Sequence, residues 1–165
     1  MDSLYLLKYL CYMVENQTRW VCQNVTDDDA RWRPENSTAP AIGWLVGHIL
    51  VWHDLAFNHR FCGNEMITEE LTAFFGWGTP GDFPLPYNLE SLFGQFKLIN
   101  AKIAETLDSK NQNWLDKQFD YTGFPQHWHG KSIGKGFLIG VNHSLAHTGQ
   151  ILEIKRQMGK GAWGS

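Results

Sequence analysis

The chain has 165 residues, 43% of them hydrophobic and 19% charged, with a formal net charge of -3 at pH 7; it has the size of one soluble domain with a proper core. Its 14 basic residues are scattered, so nucleic acid is not expected as a partner, and no apolar run reaches the roughly 18 residues of a membrane span. The first residues, MDSLYLLKYL, lack the positive charge and the small-residue cleavage site of a secretory signal.

Apolar residues recur at helical spacing in four stretches. The first holds Leu4, Leu7, Cys11, Val14, Val21 and Val25, with Thr18 in the same row. This helix is expected to end at TDDD (26–29), and Pro34 forbids its continuation. Cys11 and Cys22 are about three turns apart along it, roughly 16 Å, and a disulfide needs Cα atoms within about 7 Å. With Cys62 they make three free thiols, which suits a reducing compartment, and the expected location is the cytoplasm. Cys11 and Cys22 read as small buried hydrophobes rather than nucleophiles.

The second stretch opens at STAP (37–40), with Ser37 or Thr38 as cap and Pro40 in the first turn. It runs through Ile42, Leu45, Ile49, Trp52 and Ala56 and stops at Gly63. The third begins at Asn88 and runs through Leu89, Leu92, Phe96, Ile99 and Ile103. The fourth holds Phe137, Ile151, Ile154 and Met158 and ends at Gly159, a C-cap glycine. The second and third connections run about 25 and about 22 residues, longer than ordinary loops, and each is expected to hold a short helix, at 68–75 and 113–118. The pattern predicts an all-α single domain over 1–165: a four-helix bundle with two long crossover connections.

On the last helix His143 and His147 stand four apart, about 40° around the axis and about 6 Å along it, so both imidazoles can converge on one ion. Their row reads Gly136, Gly140, His143, His147, Gln150, Ile154. Each glycine costs about 1 kcal/mol of helix propensity against alanine, and together they are expected to leave open space beside His143. The bland alternative is a pair of surface or hydrogen-bonded histidines. Two ligands are also incomplete, because a catalytic zinc usually has three protein ligands and an open position. His48, His53, His59, His127 and His129 are the remaining candidates. His48 adjoins the stripe Leu45, Ile49, Trp52, and Gly43 and Gly47 let a neighbouring helix approach it. His59 is about three turns, or roughly 16 Å, further on. His53 is one step off that face and is expected to meet solvent. His127 and His129 form an H-x-H in a loop, a less rigid support for a coordination sphere. Ser144 follows His143, so the glutamate of an H-E-x-x-H protease is absent.

GWLVGH (43–48), the WRP turn (32–34) and HSLAHTGQILEIKRQMG (143–159) together resemble the DinB-like superfamily of small metal-binding four-helix bundles, across essentially the whole chain. The resemblance implies a three-histidine metal site with His48, His143 and His147 as ligands, and often a homodimer. It implies that Gln150 hydrogen-bonds within the helix packing instead of ligating. It further implies either a transferase or isomerase acting with a small thiol such as bacillithiol or mycothiol, or a metal-dependent hydrolase. One divalent ion is expected, Zn or Ni first, with Fe, Mn or Cu admissible for neutral imidazoles. Trp44, Trp52, Trp77, Gly140 and Gln150 are expected around the pocket, with Trp77 as a lid or a plug at its mouth.

The first function is therefore a small-thiol S-transferase or isomerase acting on an electrophilic small molecule, with the thiol or water at the metal as nucleophile. The alternatives are a metal-dependent hydrolase using hydroxide, and a stress-response protein that holds metal without turnover. His127, His129 and Asp54 stand as candidate fourth ligands, which would close the site.

Overall fold

The computed structural model describes residues 2–35 and 38–161, and every regular element within them is helical, apart from one isolated bridge between Gln118 and Ser132. Helix α1 spans Ser3–Val21, capped by the Asp2 carboxylate, which accepts from the Leu4 N–H. Its predicted row is buried from Leu4 to Val21, while Val25 lies beyond the helix and is half-buried. The polar member, Thr18, donates its hydroxyl to the Val14 carbonyl at 2.8 Å and lies 3.3 Å from the Thr148 hydroxyl. TDDD behaves otherwise than expected. Thr26 and Asp29 form a capping box that starts a second helix, α2 (Asp27–Arg31), and the three aspartates complement the positive end of its dipole. The first helix has already ended at Val21, ahead of the left-handed Asn24.

Helix α3 spans Ile42–Trp52 and continues as a π-helical extension, His53–Phe61. Its N-cap is Ala41, with no side-chain cap bond, so Thr38 does not cap it and Pro40 precedes it; Ser37 lies outside the described residues. After a 3-10 turn (Glu69–Leu71) come α4 (Thr72–Phe75), α5 (Leu89–Asp108) and α6 (Gln112–Leu115). A second 3-10 turn (Gln126–Trp128) leads to α7 (Ile133–Gln157). Asn88 caps α5 through the Ser91 N–H, Ser132 caps α7, and Gly159 follows α7 at φ 73°. Both long connections thus carry the short helices expected of them, with slightly different bounds.

Helix α1 packs on α5 and α7, and α3 packs on the same two and also on α2 and α4. Enclosed on so many sides, α3 has almost no solvent face: every residue from Ile42 to Val51 except Trp44 is buried. That enclosure corrects the reading of His53. It is 0% exposed, between the rings of Phe57 and Phe96 at 4.5 and 4.9 Å, and neither ring nitrogen has a hydrogen-bond partner among the described residues.

Burial pushes the His53 pKa down to about 3. The unfolded chain takes up the proton near pH 6.5 and the folded chain does not, so stability is full above that pH and falls as pH drops from 6.5 toward 3. The slope from this one group is about 1.4 kcal/mol per pH unit. His53→Leu is therefore expected to resist acid better than the wild type, by about 2 kcal/mol at pH 5 relative to pH 7. Urea unfolding at the two pH values measures this; equal pH dependence in both proteins would refute it.

Asp54, the next residue, is also fully buried. Its carboxyl group accepts from the Ile67 N–H (2.7 Å), the Thr68 N–H (2.6 Å), the Thr68 hydroxyl (2.8 Å) and the Asn58 amide (2.7 Å). It pins the start of the second connection, the first of the two long ones, onto the π-helical segment. From there the connection doubles back over α3. Gly43 and Gly47 are needed for that return, since a Cβ at either would run into the ring of Phe83 or of Phe75. The neighbouring helix expected beside these glycines is the short α4, which brings Phe75 against Gly47, while Phe83 of the connection lies against Gly43.

Candidate metal centre

His48 comes from the middle of α3, and His143 and His147 from adjacent turns of α7. Their ligand nitrogens lie within 4.8 Å of one another. The ring centroids are 4.5 Å apart for His143–His147, 4.9 Å for His48–His147 and 5.6 Å for His48–His143. His48 is buried and the other two are half-buried, so the cluster sits where the core meets the surface.

Each outer hydrogen bond fixes a proton. The Phe75 carbonyl can only accept, so the His48 Nδ1 at 2.8 Å carries the hydrogen and its Nε2 keeps the lone pair. Gln150 Oε1 lies 2.8 Å from His147 Nδ1 and sets the same tautomer there. The Nε2 atoms of His143 and His147 then face each other at 3.2 Å. Two imidazole nitrogens on one tetrahedral zinc, each about 2.0–2.1 Å from it, stand about 3.3 Å apart. The donor set fits a divalent ion, with the second-layer bonds that orient metal-ligating histidines already made for His48 and His147.

Electrostatics favour the same use. Burial, and secondarily the neighbouring His147, hold His48 down to about 4 against the opposing pull of the Phe75 bond. Burial, followed by His147, His48 and His127, brings His143 to about 4 as well. Both are neutral at pH 7, as metal ligands must be.

The other candidates are placed elsewhere. His59 Nδ1 donates to the Asn64 carbonyl at 2.8 Å, and His129 Nε2 lies 3.2 Å from the Phe124 carbonyl. His127 faces the cavity described below but does not belong to the cluster. Asp54 is taken up by its four donors. Burial raises the thiols of Cys22 and Cys62 to about 12 and that of Cys11 further still, which leaves all three protonated and unreactive.

A cavity of about 630 Å³ opens against His48 and His143. Of the five residues expected around it, Trp52 and Trp77 line it. Trp44 instead stacks on the His48 ring (4.7 Å, 11° between planes) and donates its indole N–H to the Thr79 hydroxyl. Gln150 is exposed and serves His147, outside the helix packing expected for it. Gly140 is covered. A Cβ there would collide with Phe57, and one on Gly136 with Tyr121 and Phe61, so the space beside these glycines holds aromatic rings and not a ligand. The sequence reading missed the Phe75 carbonyl, Trp128, Ile139 and Asn142. A backbone acceptor leaves no trace in residue type, and a faint signal for Trp128 lay in its place between the two loop histidines.

A family model described as the DinB superfamily matches residues 12–151. A crystal structure of a conserved protein from Enterococcus faecalis superposes with a TM-score of 0.70 at 15% identity, over 97% of this chain and 99% of that one. At that identity the likeness concerns the fold. No curated protein matches the chain.

Proposed function

The chain belongs to the DinB superfamily, and from that premise we propose that it is a metal-dependent enzyme joining a small thiol to an electrophilic small molecule. Its four long helices are read as a four-helix bundle that brings His48, His143 and His147 around one divalent ion. The carrying observation is that the ligand nitrogens of His48, His143 and His147 lie within 4.8 Å of one another, that His48 and His143 line a cavity, and that the cluster has no fourth protein ligand among the described residues. An ion held by neutral imidazoles keeps its full charge, and so lowers the pKa of a thiol reaching its open position.

The protein's own groups divide the remaining tasks. Phe75 and Gln150 fix the tautomers of His48 and His147, Trp44 backs the His48 ring, and the cavity walls hold the electrophile away from bulk water. In the reaction a C–S bond forms and the bond from carbon to the leaving group breaks. The leaving group departs with the electron pair, and the thiol proton passes to solvent.

The test is zinc- or nickel-loaded protein with a panel of small thiols and an aryl halide, followed by thioether formation. A rate above that of thiol and halide alone, abolished in His143→Ala, is expected. Fully loaded protein without such a rate would overturn the transferase reading, and ester hydrolysis under the same conditions would put a hydrolase in its place.

A further inference from the structure

We infer that the cavity beside the histidine cluster selects an uncharged, flat aromatic molecule, held between Trp77 and a wall made by Trp52 and Trp128. This deepens the enzyme reading above by naming the substrate class of the same site.

The first observation is charge. Of the residues that line the cavity, none is Asp, Glu, Lys or Arg; the polar ones are Thr72, Asn142 and the histidines. In the metal-free lining a carboxylate or ammonium would give up hydration without a protein counter-charge, which is expensive in an apolar setting; with the ion bound, its charge is directed to the thiol at its open position in the proposed reaction and not to the cavity walls. The second is shape. A volume of about 630 Å³ suits a compact organic molecule. Val51, Leu55 and Ile139 supply aliphatic surface, and three indoles supply broad faces.

The third observation is how differently the indoles are held. Trp128 is 2% exposed, and the Trp52 ring meets Phe124 and Trp128 edge-on at 5.7 and 5.5 Å, so that wall is fixed by packing. Trp77, on the rim, is 91% exposed. An apolar ring with so much surface in water gains most by covering a second flat ring, since stacked aromatic pairs add about 0.5–1.5 kcal/mol beyond area burial.

The experiment is calorimetric titration of chelator-treated, full-length protein with 2-naphthamide and with 2-naphthoate, a pair that differs essentially in charge. Without metal the lining alone is read, so the result is independent of whether thiol transfer occurs. Naphthamide is expected to bind, with naphthoate about tenfold weaker or more. Trp77→Ala is expected to weaken naphthamide roughly threefold or more, and because Trp77 is so exposed the variant should unfold at the same urea concentration as the wild type. Naphthoate binding as tightly as naphthamide, naphthamide indifferent to Trp77→Ala, or no naphthamide binding at millimolar concentration would each overturn the inference. If naphthamide binds as expected but no thioether forms in the metal-loaded assay, the cavity assignment stands and only the reaction is wrong.

Discussion

Untagged wild-type protein, purified without metal-affinity resin and then given zinc, is expected to retain about one ion per chain, and His143→Ala is expected to lose it. His48→Ala and His147→Ala should each do the same, with affinity falling on the order of a hundredfold or more. The reason is geometric. With three nitrogens inside 4.8 Å, removal of any one leaves two ligands, which is too few to displace the water around a zinc ion. Gln150→Ala should be milder, a loss of about 10–100-fold, because it removes only the acceptor at 2.8 Å that fixes the His147 tautomer. His53→Ala and His129→Ala should leave metal content unchanged, since neither belongs to the cluster. Elemental analysis and a competition titration with a coloured chelator read the wild type and all six variants. If His48→Ala bound zinc like the wild type, the site would be at most a pair on α7, and the proposed function would fall with it.

Asp54→Ala is expected to cost about 3–4 kcal/mol of folding stability by denaturant titration. Four hydrogen bonds end on this buried carboxyl group. Its loss strands the donors of Ile67, Thr68 and Asn58, each unsatisfied buried group costing about 1–3 kcal/mol, less whatever relaxation and water recover. Asp54→Asn keeps the shape but turns one acceptor into a donor against the Asn58 amide, and should cost roughly half as much. Folded Asp54→Ala should still carry its ion, which separates a structural anchor from a fourth ligand. A loss of metal with unchanged stability would reverse that assignment.

The four long helices were legible because their signals are local. The rows on α1 and α5 recur every three or four residues, and Asn88 marks the start of α5 and Gly159 the end of α7 with side-chain chemistry or backbone freedom that needs no distant partner. The His143–His147 pair was legible for the same reason: an i, i+4 spacing on a helix fixes both rings on one side whatever surrounds it. His48 was reached through the family resemblance, and its neighbours Gly43 and Gly47 hinted that something comes close.

The misreadings concern what lies opposite. His53 was assigned to water from its step around the helix, on the premise that a helix has one wet face. Helix α3 has almost none, because α5 and α7 cover it together with α2 and the returning connection with α4. The glycine row on α7 suggested open space, whereas Phe57, Phe61 and Tyr121 fill it. Their ring positions are set by chain segments far away in sequence.

By itself, then, the sequence determined the all-helical class, the start of α5, the end of α7 and the paired imidazoles of α7, all of which follow from periodicity and capping within a few residues. Only the tertiary structure decided that His48 closes on that pair, that the Phe75 carbonyl and Gln150 set the tautomers, and that an uncharged cavity adjoins the cluster. The physical reason is that a third ligand, a backbone acceptor and a cavity wall are relations between segments. Their energies depend on distance and burial across the fold, which no local pattern encodes.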